Sequence, residues 1–139
     1  MAEQILKVLE PLPNRLLPIY GDNLKAVILF GSYARGTADK ESDVDIALLV
    51  DGSEEELRNH RRQLSHVSAD LTAENQYKWL FSFTPINYGN YTKWKCVLPF
   101  YQNIEKEGIP LYVSRELESG SNSTLKGTAR ESEGRPVLC

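Results

Sequence analysis

Cysteine, long apolar runs and excess positive charge are all scarce in this chain. Cys96 and Cys139 are the only cysteines among 139 residues, which supports neither a disulfide framework nor a zinc site. Cys96 reads as a small core residue inside a helix. No stretch approaches the 18 or more apolar residues of a membrane span, and the N-terminus lacks a signal-peptide pattern. A cytoplasmic protein without membrane contact is expected. Lys and Arg number 16 against 19 Asp and Glu, a formal net charge of −3. That argues against direct nucleic-acid binding, which needs a positive field to neutralise phosphates. The 41% hydrophobic content suffices for one small core.

What is there centres on residues 31–45. Ala26-Val27-Ile28-Leu29-Phe30 is a short apolar run rich in β-branched and aromatic residues, and Gly31-Ser32 closes it, so it reads as a buried strand. A strand ending in Gly-Ser before helix-compatible residues leaves unpaired backbone N–H groups, an anion site once a phosphate is offered. Ser32 adds a hydroxyl, Arg35 a cationic fork and Gly36 the freedom for a tight turn. Ten residues separate Ser32 from Asp43-Val44-Asp45, which opens a second strand. Alternation puts Val44, Ile46, Leu48 and Val50 on an apolar core face and Asp43 and Asp45 together on the other, pointing away from the core. Two adjacent carboxylates repel unless a cation stands between them, and a divalent metal with oxygen ligands meets that need.

Around this centre the chain reads as alternating helices and strands. Residues 2–10 and 14–19 predict a first helix interrupted by prolines. Ser53 and Glu56 form a capping-box signature for a helix running to about residue 72, with Leu57, Leu64, Val67 and Leu71 on one face. His60 falls on that face as a core-edge histidine, and Arg58, Arg61 and Arg62 make a basic patch. Residues 77–86 predict a third strand and 91–107 a helix, with Trp94, Val97, Leu98, Tyr101 and Ile104 on its apolar side, Pro99 as a kink and Gly108 past its end. From residue 114 to 139 the composition turns polar, and a disordered tail is expected there. The reading is one domain, residues 1–113, of α/β (α+β) class: a small mixed β-sheet flanked by helices.

The segments Phe30 to Gly36 and Ser42 to Asp45 resemble the minimal nucleotidyltransferases of the DNA polymerase β-type superfamily, whose signature is Gly-Ser, about ten residues, then Asp-x-Asp. The resemblance covers roughly residues 5–113. It implies the minimal polymerase β-type fold, with Asp43 and Asp45 as catalytic ligands of Mg²⁺, two ions in all. It also implies Gly31, Ser32, Arg35 and Gly36 as the nucleotide-binding turn, with ATP as co-substrate. It implies a partner too: such proteins act as antitoxins of HEPN-family ribonuclease toxins and, in described cases, transfer AMP to a toxin tyrosine. The sequence departs from the family in the third strand. The family supplies a third carboxylate there, but no Asp or Glu lies between Gln76 and Ile86, and Lys78 stands near the expected place. Glu74 and Asp70 are the nearby substitutes. Three readings remain open: an adenylyltransferase antitoxin, a catalytically silent module that inhibits its toxin by binding, and a small-molecule nucleotidyltransferase with its acceptor pocket at a dimer interface.

Overall fold

Two strands rich in β-branched residues form the middle of the molecule. They are β1 (Leu24–Phe30) and β2 (Val44–Val50), paired antiparallel with a bulge between Leu24 and Ala26. The computed structural model describes residues 2–115. The tail expected from residue 114, apart from Ser114 and Arg115, lies outside the described residues, as does Cys139. On the far side of β2 runs β3 (Phe81–Asn87), parallel to it, and on the far side of β1 runs β4 (Ile109–Val113), antiparallel. The sheet order is β3-β2-β1-β4, the small mixed sheet expected, with β4 as a strand the sequence reading did not assign.

Helices α1 (Ala2–Leu9), α2 (Leu12–Tyr20), α4 (Glu54–Asn59) and α5 (Arg61–Glu74) cover one face of this sheet. Their Ile5, Leu9, Leu12, Leu16, Leu57, Leu64 and Leu71 pack with Val27, Leu29, Val44, Ile46, Leu48 and Val50. At about 1.5–3 kcal/mol for each fully buried aliphatic side chain, this layer dominates the apolar stabilisation. The Ser53–Glu56 capping box forms as expected, each side chain bonded to the other's backbone N–H. The predicted single helix nevertheless breaks at His60, whose ring meets Tyr20 edge-on with centroids 5.4 Å apart.

The opposite face carries α6 (Tyr88–Trp94) and α7 (Pro99–Glu107) over a smaller second core of Ala26, Ala47, Leu49, Ile86, Tyr91 and Ile104. The expected continuous helix over 91–107 is two helices. Pro99 supplies no backbone N–H and sits in the first turn of α7, where none is needed, so the chain turns before it instead of kinking through it. Trp94, Val97 and Leu98 flank that break and are exposed rather than buried, and Cys96 lies half-buried in the turn, outside the core. Gly108 ends α7 with extended backbone; any side chain there would collide with Ile28 and the Ile104 carbonyl. Beneath α6 and α7, Tyr91 donates to Glu105 at 2.5 Å and Lys95 stands 3.7 Å from the same carboxylate. Burial and Glu105 hold the Tyr91 hydroxyl well above the ordinary tyrosine range.

Candidate active site

Strand register brings three side chains into one row. Phe30 is the cross-strand partner of Asp45, and Asp45 is aligned with Ser82 on parallel β3. All three share the face that carries Ala47 and Leu49. The far end of that face is buried under α6 and α7, and only the end beginning at Asp45 is accessible.

The turn before β2 sets Asp43. Asp39 Oδ1 accepts from the Glu41 N–H at 2.9 Å and from the Ser42 hydroxyl at 3.1 Å, while Ser42 Oγ accepts from the Asp39 N–H at 3.0 Å. This closed turn delivers the chain to Asp43, and the Val44 N–H then donates to the Leu80 carbonyl at 2.8 Å, which fixes where β2 begins. Asp39 and Ser42 are positioning residues to which the sequence pattern assigns no role, although an Asp opening a polar turn is a local signal. Asp43 is exposed, Asp45 partly so, and neither is in an ion pair among the described residues. Burial raises the Asp45 carboxyl above its usual range, the Asp43 charge raises it further, and Arg35 pulls it back. Two neighbouring carboxylates with no side-chain cation bridging them fit a hard divalent ion.

Gly31 faces this pair. Its φ of +80° is strained for any L residue, and a Cβ there would lie 3.2 Å from Asp45 Cγ and closer still to Oδ2. The backbone thus passes against the carboxylate, which only glycine permits. After it, α3 (Ser32–Arg35) is a single turn in which Ala34 and Arg35 donate to the Gly31 carbonyl. Buried Tyr33 anchors α3 in the larger core. The first N–H groups of a helix have no partner within it, so the Ser32 and Tyr33 amides and the Ser32 hydroxyl are available at the turn. Gly36, at φ +81°, caps α3 in the left-handed conformation, as the tight-turn reading expected. Arg35 meets Glu107 of α7 at 3.3 Å, both side chains well exposed. No local pattern signals that partner, 72 residues away.

Beside Asp45 on the neighbouring strand, the place for a third carboxylate, the chain has Ser82. Lys78 lies in the turn before β3, where Gln76 and Tyr77 adopt positive φ, and not on the strand. Glu74 pairs with Arg15 at 2.6 Å, and Asp70 is exposed on α5. That helix packs on the opposite face of the sheet, so neither joins Asp43 and Asp45. The Ser68 hydroxyl bonds the Phe81 carbonyl at 2.9 Å and holds the start of β3 in place. No cluster of three or more His, Cys, Asp or Glu suited to a metal occurs among the described residues. The pair is complete as a pair. His60 lies on the larger-core side against Tyr20, and Arg61 lines a groove with Leu64, Ser65, Phe83 and Pro85 of α5 and β3.

A strand closed by Gly-Ser against an Asp-x-Asp strand is the arrangement of a nucleotidyl-transferring palm. The nucleotidyltransferase domain family matches residues 13–112, and the chain belongs to it. Among similar proteins of Methanocaldococcus jannaschii, one named putative protein adenylyltransferase is 34% identical over 87 residues, 62% of this chain and 56% of that one. A second so named is 47% identical over 47 residues, 34% of this chain and 48% of that one. The chain spans about half the length of the curated relatives it matches. Among solved structures, an MntA–HpeT toxin–antitoxin mutant resembles this chain with a TM-score of 0.49 and 17% identity, covering 93% of this chain and 94% of that one. A toxin–antitoxin with AMP-PNP gives 0.45 and 19%, covering 90% and 93%. No helix among the described residues is long and apolar enough to cross a membrane.

Proposed function

We propose that this chain is a nucleotidyltransferase that moves AMP from ATP to a protein hydroxyl, and that the acceptor is a tyrosine of a HEPN-family ribonuclease toxin which the transfer neutralises in the cytoplasm. The observation that carries the transferase reading is the Asp43–Asp45 pair beside Gly31, where the backbone runs against a carboxylate. The names of the relatives favour a protein acceptor.

In this reading Asp43 and Asp45 would hold Mg²⁺. The Ser32 hydroxyl and the adjacent backbone N–H groups would hold the β and γ phosphates, and Gly31 and Gly36 allow that turn its shape. Arg35 would add charge for the phosphates once released from Glu107. A divalent ion held there supplies neutralisation of charge on the phosphoryl oxygens and in-line positioning. The acceptor oxygen forms its bond to the α-phosphorus as the bond to the β-phosphate oxygen breaks; the hydroxyl proton goes to solvent and pyrophosphate leaves. A second ion, which the family resemblance implies, would find the Ser82 hydroxyl where a carboxylate is expected.

Ser82 favours one other reading, a module that inhibits its toxin by binding alone. The deciding experiment is the intact mass of a HEPN-type partner after incubation with this protein, ATP and Mg²⁺, beside an Asp43→Asn, Asp45→Asn double variant. Whole AMP units gained with the wild type only are expected. An unchanged mass in a stable, silenced complex would overturn the transferase and leave the binding module.

A further inference from the structure

The accessible end of the site carries an aromatic rim that phosphate and metal chemistry do not use. Phe30 is the cross-strand partner of Asp45 on the same face, and its ring meets Phe100 edge to face, centroids 5.5 Å apart. Phe100 stands in the first turn of α7, has the tilted Tyr101 ring 5.9 Å away as a second neighbour, and is still 45% exposed. Two contacts fix the ring while about half of it remains open to solvent. Leaving so much aromatic surface wet forfeits hydrophobic stabilisation. Direct cross-strand neighbours have Cβ atoms roughly 5 Å apart, so the Phe100 ring lies on the order of 10 Å from the carboxylate pair, a gap that the sugar of a nucleotide would largely cover.

We propose that Phe100 is the stacking platform for the nucleobase of the bound nucleoside triphosphate, held at its angle by Phe30 and Tyr101. This rests on the nucleotidyltransferase reading above. Stacking uses the face of the base and reads none of its edge, so ATP and GTP bind alike and the smaller pyrimidines bind less well. Phe100 then supplies the part of the nucleotide's affinity that the phosphates do not.

Calorimetric titration with ATP and with inorganic tripolyphosphate, both in Mg²⁺, separates the two parts. The wild type binds ATP more tightly than tripolyphosphate. Phe100→Ala weakens ATP binding roughly tenfold, within the range for loss of one base–aromatic stack, and leaves tripolyphosphate binding unchanged, whereas Phe100→Tyr keeps the ATP affinity. An unchanged ATP affinity in Phe100→Ala, an equal loss for both ligands, or a Phe100→Tyr variant as weak as Phe100→Ala would overturn the platform. Wild-type protein that binds tripolyphosphate with no advantage for ATP would overturn the platform and leave the phosphate site standing. Wild-type protein that binds neither would overturn the nucleotide reading and the platform with it.

Discussion

The two faces of the sheet are built from the same strands and do different things. The face under α1, α2, α4 and α5 is apolar from end to end, with Val44, Ile46, Leu48 and Val50 all buried. The face under α6 and α7 is apolar along β2 only at Ala47 and Leu49 and then changes, within one strand repeat, to Asp45 beside Phe30 and Ser82. Side chains one residue apart on β2 thus belong to a core and to a site. The lesson is that coverage, more than composition, divides stability from chemistry in so small a domain: α6 and α7 stop short, and the strand end they leave is where two carboxylates can stand without partners.

The contrast is sharpest between neighbours of opposite parity. Asp45→Asn should lower AMP transfer by more than about a hundredfold, the scale of losing one group that stabilises transition-state charge, while circular dichroism shows an unchanged fold. Leu48→Ala, on the other face, should cost about 2–5 kcal/mol in chemical denaturation, because it leaves a cavity in the larger core. A Leu48→Ala protein of unchanged stability would break the division between faces.

Gly31 and Gly36 offer a finer version, since both have positive φ but only at Gly31 would a Cβ meet Asp45. Gly31→Ala combines backbone strain with a clash on Asp45 and should cost on the order of 1–3 kcal/mol together with most of the transfer activity. Gly36→Ala has open space around the new Cβ, so it carries backbone strain without a clash and should show a smaller loss of both stability and nucleotide binding than Gly31→Ala. Thermal denaturation and nucleotide titration of the pair decide this.

The smallest effect is in pH. The Asp45 carboxyl is raised in the folded chain, chiefly by burial and then by Asp43, so the folded state binds its proton more readily than the unfolded state does. That contribution to stability is complete below the unfolded carboxylate value of about 3.9 and is lost as pH rises through the higher folded value. Metal-free Asp45→Asn protein should therefore melt higher than wild type at neutral pH, and the difference should close toward pH 4 and below. Melting curves taken across that range test it, and a gap that widens on acidification would reverse the sign.

Much of this was legible in the residues, and the exceptions have physical causes. The strand before Gly31, the parity of β2 and the Ser53–Glu56 cap follow from local patterns that nothing distant overrides. The break at residues 95–98 did not follow, because apolar Val97 and Leu98 mimic a helix interior while Pro99 favours a helix start. Strand β3 begins at Phe81 rather than Tyr77, since the chain first turns through positive φ at Gln76 and Tyr77. At the site, the carboxylate pair and the glycine turn were visible as spacing. The Arg35–Glu107 pair, the alignment of Ser82 with Asp45 and the place of Phe100 depend on strand register and on how α7 crosses the sheet, which no local pattern encodes.

The central claim is that the uncovered end of the sheet is a metal–nucleotide site, and Mn²⁺ titration followed by electron paramagnetic resonance, with and without ATP, tests it most directly. The account predicts that the wild-type protein removes Mn²⁺–ATP from the free signal and that folded Asp43→Asn, Asp45→Asn protein does not. Equal uptake by both proteins would contradict it.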